Sequence, residues 1–149
     1  MKNTNLQNNK AIVRRYVDEV QNGHSIEALE SIYSRNFIDH MNSFDGLFQG
    51  IEGLKMGYVE MLKAFPDFRV IIHHQIAEGD KVVTYKTVMG THREEFRGIP
   101  ATGGRIEFQV IDIFRIEENK ITECWGVFEE LKFMQQLGVF AEDKNGKPM

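Results

Sequence analysis

The sequence predicts an α+β fold in a single domain. Apolar residues recur at helical spacing in the first half of the chain and alternate with polar residues in the second half. Helices followed by a run of strands are typical of α+β proteins, whereas parallel α/β proteins alternate the two. The 149 residues show no repeat and no internal linker, so one domain spanning 1–149 is expected.

Three helices are expected before the strands. The first covers 9–21, and Gly23 is expected to end it by taking the left-handed backbone conformation. Ser25 is placed to cap the second helix. The third follows a loop that contains Gly46 and ends before Pro66, which cannot continue a helix.

Alternation with a period of two predicts four strands, at 68–77, 81–92, 105–117 and 121–128. Short turns between them indicate an antiparallel meander. A helical segment at 129–137 follows. Three N-terminal helices packed on a curved antiparallel sheet can enclose an apolar pocket.

Composition excludes several classes of function. With 42% hydrophobic residues and 11 Phe, the chain can form a core or cavity wall rich in aromatic rings. The net charge of -4 and the absence of a basic run argue against nucleic-acid binding. No stretch of about 18 apolar residues is present, so no membrane span is expected. With no signal peptide and a single cysteine, Cys124, a cytoplasmic location is expected.

Asp112 is the first candidate for acid/base chemistry. On the strand 105–117 it shares a face with Phe108, Val110 and Phe114, which are all apolar. Burial there would raise its pKa and suit it for proton transfer near neutral pH. The alternatives are an Asp satisfied by backbone amides or a strand that faces water at this point.

Asp39 and His40 form a second candidate pair at the end of a short apolar segment. A carboxylate beside an imidazole could be a base and its orienting partner. Neighbouring residues on a strand face opposite sides, however, so only one of the two can point inward. A polar loop start is the alternative.

Two further histidines are weaker candidates. The alternation places His74 on the apolar face of its strand, as a pocket residue or a core or sheet-surface histidine, with His73 on the other face. His92 ends the next strand, where it could share a proton with the acids or be a solvated strand end. No spacing typical of a metal site is present, and no metal is expected.

Several short motifs resemble the SnoaL-like polyketide cyclases of the NTF2-like superfamily over about residues 8 to 138. None is specific by itself, but their order along the chain matches the family. The motifs include Asn9-Lys10-x-x-Val13-Arg14-Arg15, Asn36-Phe37-x-Asp39-His40, Ala64-Phe65-Pro66-Asp67-Phe68, Gly98-Ile99-Pro100-x-Thr102-Gly103, Ile111-Asp112-Ile113-Phe114 and Trp125-Gly126-Val127-Phe128.

The resemblance implies a cone-shaped α+β fold with a deep apolar pocket, in a homodimer or larger homo-oligomer. It also implies cofactor-free ring closure of a polyketide by an intramolecular aldol reaction, with an acidic pocket residue that moves the proton. In the cyclases that name the family this Asp lies on the last strand, at the position of Gly126 here. Asp39 and Asp112 fall at polar pocket positions of those enzymes.

The leading hypothesis is therefore a small-molecule cyclase, isomerase or lyase that acts on a hydrophobic carbonyl compound through an enolate. Asp112 would be the main acid or base, helped by Asp39 with His40 or His92. The alternatives are a non-catalytic module that binds an apolar ligand, and an epoxide-hydrolase-like enzyme with an Arg or a second Asp beside the base. The substrate-binding candidates are Tyr16, Phe37, His40, Tyr58, Leu62, Phe65, His74, Phe108, Phe114 and Phe128.

Overall fold

The computed structural model describes residues 2–41 and 50–140, and its first helix is longer than the sequence pattern predicted. Helix α1 (Lys2–Arg15) begins well before residue 9 and continues as a π-helical segment, Tyr16–Asn22. In a π-helix each hydrogen bond joins residues five apart. Tyr16 and Gln21, which are five apart, are therefore both buried on the side that faces the sheet.

The end of this helix differs from the prediction. Gly23 stays helical with φ -83°, and His24 takes the left-handed conformation instead, with φ 58°. A side chain at Gly23 would place its Cβ 2.6 Å from the Glu19 carbonyl oxygen, so the residue is needed for close packing and not for its φ. Ser25 occupies the expected cap position but makes no capping hydrogen bond.

A strand that the sequence pattern did not reveal follows the second helix. A 3₁₀ turn at Ile26–Ala28 leads into the short helix α2 (Leu29–Ile32), and β1 (Tyr33–Asp39) follows directly. Helix α3 is Gly50–Ala64. The predicted loop residue Gly46 lies outside the described residues.

The four predicted strands and the last helix are confirmed to within one or two residues at each end. A glycine with φ 74°, Gly138, follows that helix. The elements are β2 (Arg69–Glu78), β3 (Lys81–Thr91), β4 (Arg105–Glu117), β5 (Lys120–Phe128) and α4 (Glu130–Gln136).

The sheet has the strand order β1-β5-β4-β3-β2. Strands β2 to β5 form the predicted antiparallel meander, but β1 pairs with β5 in parallel, so the expectation of a purely antiparallel sheet was wrong. A parallel neighbour needs a long connection, and the chain between β1 and β5 supplies it. Because β1 is short and irregularly paired, its alternation is too weak to be recognised in the sequence.

Helices cover one face of this sheet, and the core lies between them. The inward residues of β4 are buried at every second position, as the alternation predicted. At one end of the core, the rings of Phe65, Phe96 and Phe133 contact each other at centroid distances of 5.4 to 6.2 Å. No helix within the described part of the chain is long and apolar enough to cross a membrane.

Candidate functional site

A cavity of about 210 Å³ lies between the inner face of the sheet and the helices α1 and α3. Its wall is mostly aromatic and aliphatic, and its polar groups come from the π-helical segment after α1, from α3, β1, β3 and β4, and from Arg97 in the loop between β3 and β4. The volume lies below the ~300–1,000 Å³ of sites for drug-sized ligands, so it suits a compact molecule. The lining includes Tyr16, Gln21, Tyr33, Phe37, Asp39, Met41, Leu54, Tyr58, Met61, Phe68, Lys86, Val88, Arg97, Phe108, Val110, Asp112, Phe114, Cys124, Phe128 and Phe133.

The main polar feature of the cavity is an ion pair between Lys86 and Asp112. The Nζ atom of Lys86 lies 2.7 Å from Oδ2 of Asp112, and the two side chains are only 3% and 4% exposed. Full charges are rarely buried unless they are paired, because each loses its hydration. Either residue can therefore lie charged on this buried face only when it is paired with the other.

The register of β3 and β4 explains how the pair forms. Asp112 lies directly opposite Thr84, and Lys86 lies directly opposite Val110. Lys86 and Asp112 are thus diagonal neighbours on the inner face, at a separation that a long side chain can bridge.

Burial dominates the electrostatics of Asp112. It raises the pKa of the Asp112 carboxyl above its ordinary value, and the Lys86 ammonium only partly counteracts this effect. The second carboxyl oxygen, Oδ1, is buried and makes no hydrogen bond within the described residues. One oxygen of Asp112 is thus held by Lys86, while the other can still accept a proton or a ligand's hydrogen bond.

A hydrogen-bonded group extends from this pair to two tyrosines. Gln21 accepts a hydrogen bond from Lys86 Nζ at 3.4 Å through Oε1, and its Nε2 donates to the Tyr58 hydroxyl at 2.8 Å. The hydroxyls of Tyr16 and Tyr58 hydrogen-bond each other. Burial raises the pKa of both tyrosines well above the ordinary value, so both keep their protons at neutral pH and can donate hydrogen bonds.

Asp39 and His40 point to opposite sides of β1, as strand geometry predicts. Asp39 lines the cavity, where burial raises the pKa of its carboxyl and the Met41 amide, which donates to Oδ1 at 2.9 Å, lowers it in part. His40 stacks on Trp125 outside the cavity and lies 2.7 Å from Oε2 of Glu123. The expected placement of His40 beside the substrate is therefore wrong.

The other two histidines also lie away from the cavity. A register shift in β2 between Ile72 and His74 reverses the alternation, so His74 is exposed and packs on Tyr85 with ring centroids 6.0 Å apart. His92 is fully buried and not a solvated strand end, but it packs against Phe65 at 5.3 Å. Neither histidine lines the cavity that holds Asp112 and Asp39, and neither hydrogen-bonds either carboxylate among the described residues.

Of the eight aromatic and aliphatic residues among the substrate-binding candidates, six line the cavity and two do not. Leu62 lies in the last turn of α3 and Phe65 directly follows the helix, and both pack in the core outside the cavity lining. The six that line the cavity are Tyr16, Phe37, Tyr58, Phe108, Phe114 and Phe128.

Cys124 is a poor nucleophile in this environment. It lies on β5 directly opposite Asp39 on one side and Phe114 on the other, and it is buried. Burial raises the pKa of its thiol well above the ordinary value, and the negative charges of Asp112 and Asp39 raise it further. The thiol therefore stays protonated. Within residues 2–41 and 50–140, no three His, Cys, Asp or Glu side chains lie close enough together to hold a metal ion.

Sequence reasoning missed Lys86 and Gln21. The signal for Lys86 was present, because Val82, Thr84, Lys86 and Val88 alternate on the face that the structure shows to be buried. Gln21 could not have been found in this way, because an α-helical pattern does not place it beside Tyr16. The π-helical segment does so, and Gln21 Nε2 lies 3.2 Å from the Tyr16 hydroxyl.

Gly126 on β5 lies where little space is left for a side chain beside Asp112. It lies directly opposite Asp112 and faces the same side of the sheet. A Cβ at this position would be 2.8 Å from the Ile111 carbonyl oxygen and 3.1 Å from Cβ of Asp112. The strands approach too closely here for a second acidic side chain, so Asp112 is the acid that this part of the cavity can accommodate.

Comparison with known proteins agrees with this fold. A family model described as SnoaL-like polyketide cyclase matches residues 11–137. A candidate polyketide cyclase from Bacillus cereus is 31% identical, with a TM-score of 0.74 and an alignment that covers 87% of this chain and 80% of the other. One from Acidithiobacillus ferrooxidans is 27% identical, with a TM-score of 0.76 over 89% and 95% of the two chains.

The structure of TsrD from Streptomyces laurentii shares the fold, with a TM-score of 0.79 at 23% identity over 89% of this chain and 96% of the other. No curated protein sequence matches the chain.

We expect Asp112 to titrate above the ~3.9 of a free Asp in carbon-13 NMR, with Asp112→Asn for assignment. Replacement of the ammonium by Lys86→Met should raise this pKa further, because Lys86 lowers it. Between about pH 4 and the pKa of Asp112 in the folded state, the folded protein keeps a proton that the unfolded chain has released. The contribution of Asp112 to the free energy of unfolding should therefore fall as the pH rises through this range.

Asp67 provides an internal control in the same spectra. The Thr91 hydroxyl and amide both donate to its carboxylate, which lowers its pKa. An Asp112 that titrates together with Asp67, at or below ~3.9, would contradict the desolvation argument.

Proposed function

Because the chain belongs to the SnoaL-like polyketide cyclase family, we propose that it is a cofactor-free enzyme that performs acid/base chemistry on a hydrophobic carbonyl compound. The reaction would be a cyclisation, an isomerisation or a lyase step through an enolate. The observation on which this depends is the buried Asp112 carboxylate, with a raised pKa and one unpartnered oxygen, in a cavity with aromatic walls.

Asp112 would take the proton from the carbon next to the carbonyl. A base works best when its pKa lies near the working pH, and burial moves Asp112 in that direction. Lys86 and the Tyr58 hydroxyl are two donors in the cavity that could stabilise the negative charge developing on the carbonyl oxygen. Protonation of another carbon or oxygen by the same carboxyl would complete the reaction.

Asp39 would be a second proton carrier on the same sheet, two strands away from Asp112. It lies on β1 next to Cys124, while Asp112 is on the far side of β5. Burial raises its pKa as well. Two carboxyl groups on different strands could serve two positions of an extended substrate.

A binding module for an apolar ligand is the second candidate. The small cavity and the existing pairing of Asp112 with Lys86 favour it. The epoxide-hydrolase-like alternative needs an Arg or a second carboxylate beside the base, and the partner of Asp112 is a lysine. Proton exchange separates catalysis from binding directly.

We expect the protein to accelerate hydrogen–deuterium exchange at the carbons next to the carbonyl of phenylacetone in D₂O, followed by proton NMR. The Asp112→Asn variant should lose about 100-fold or more of this rate, in the range that general bases contribute. Asp67→Asn is the matched control, because it removes an exposed carboxylate outside the cavity. No exchange above that of Asp112→Asn would favour the binding module.

We also propose that the chain forms a homodimer through the outer face of β4 and β5. Ile111 and Val127 lie directly opposite each other there and are 45% and 72% exposed. Ile113 and Trp125 form the next pair along the same face. A contiguous apolar patch of this kind is typical of a protein interface.

Val127→Glu should convert the wild-type dimer to a monomer in size-exclusion chromatography with light scattering, because it buries an unpaired charge in the interface. Met56→Glu is the matched control, since Met56 is exposed on α3, away from this face. A wild-type chain that elutes as a monomer would exclude the dimer.

A further inference from the structure

The Lys86 amine is a nucleophile placed inside an apolar cavity. Its side chain is 3% exposed, and Lys86 is part of the cavity lining. Lysines in such desolvated positions beside a proton acceptor are the ones that form Schiff bases with carbonyl compounds. The acid/base steps above use Lys86 only as a charge, so this capacity is unassigned.

The surroundings of Lys86 suit both a proton transfer and a cation. Oδ2 of Asp112 is 2.7 Å from Nζ, which is close enough to take a proton directly. The faces of Tyr16 and Phe114 lie 5.6 and 5.7 Å from Nζ. Ring faces stabilise any cation at that point, whether an ammonium or an iminium.

We propose that Lys86 captures aldehydes and ketones that enter the cavity as a Schiff base. The proposal rests on the proposed function, because both require a carbonyl ligand beside Asp112. It differs in the bond that is formed: the acid/base mechanism leaves the ligand non-covalent, whereas here the ligand is held through nitrogen.

The steps balance with the groups present. The ammonium of Lys86 gives a proton to Asp112, and the neutral amine attacks the carbonyl carbon, so that a C–N bond forms as the C–O double bond becomes single. The oxygen takes the proton from Asp112, and the nitrogen returns one to the carboxylate. Asp112 then protonates the hydroxyl, which leaves as water, and the iminium remains beside the carboxylate. Hydrolysis reverses each step.

Lys81 offers a matched comparison on the same strand. It also lies beside a carboxylate, with Nζ 3.1 Å from Oδ1 of Asp80, but it is 44% exposed and outside the cavity. Any difference in reactivity between the two lysines therefore reflects the cavity.

The experiment is reductive trapping of the full-length protein with benzaldehyde and sodium cyanoborohydride, followed by peptide mass spectrometry. We expect Lys86 to be alkylated at least about tenfold faster than Lys81, since the cavity holds the aldehyde next to the amine. The Asp112→Asn variant should slow labelling at Lys86 and leave labelling at Lys81 unchanged. Labelling of Lys86 no faster than Lys81 in the wild-type protein would overturn the proposal.

Three substitutions test the site of the modification. Lys86→Arg should abolish the fast phase, and Lys86→Met should do the same if arginine disturbs the packing, whereas Lys81→Arg should leave the fast phase intact. Benzaldehyde has no hydrogen on the carbon next to its carbonyl, so trapping does not depend on the acid/base step. Exchange of phenylacetone without trapping would overturn the Schiff base alone, and trapping without exchange would overturn the proton-transfer function alone.

Discussion

Two opposite charges on the inner face of β3 and β4 constrain the rest of this structure. Lys86 and Asp112 are both buried at their ion pair, and neither could remain charged there without the other. The pair requires the register of β3 against β4, and Gln21 accepts from its ammonium. Gln21 reaches that point because α1 widens into a π-helix, a distortion that is frequent at functional sites. A hydrogen-bonded polar group thus forms at one wall of a mostly apolar cavity.

Burial costs free energy at the Lys86–Asp112 pair, and the same burial suits Asp112 for proton transfer. Desolvation shifts the pKa of Asp112 upward against the influence of Lys86, so the proton can be exchanged between the pair and a ligand. The tyrosine hydroxyls remain protonated at neutral pH, so they keep a proton to donate while they also accept from Gln21. Gly126, directly opposite on β5, leaves Asp112 without an acidic neighbour at that position. The cavity therefore holds a proton acceptor, Asp112, together with hydrogen-bond donors, and enolate chemistry uses both.

Sequence patterns predicted the fold where burial follows a regular period. The alternation on β4 identified Asp112 as an inward carboxylate on an apolar face, and the structure confirms this position. The prediction failed where the backbone departs from regularity: the register shift in β2 turned His74 outward, and the π-helix brought in Gln21. The alternation of apolar residues also could not identify the ion-pair partner of Asp112. Lys86 contacts Asp112 diagonally across β3 and β4, and the sequence does not give the register of these strands.

A double-mutant cycle of unfolding free energies tests the central claim that Lys86 and Asp112 depend on each other. Asp112→Asn leaves a buried ammonium without its counter-ion and should cost about 3–5 kcal/mol. Adding Lys86→Met removes that charge, so the double variant should be more stable than Asp112→Asn alone. Costs that simply add, with a coupling energy below about 0.5 kcal/mol, would contradict the claim.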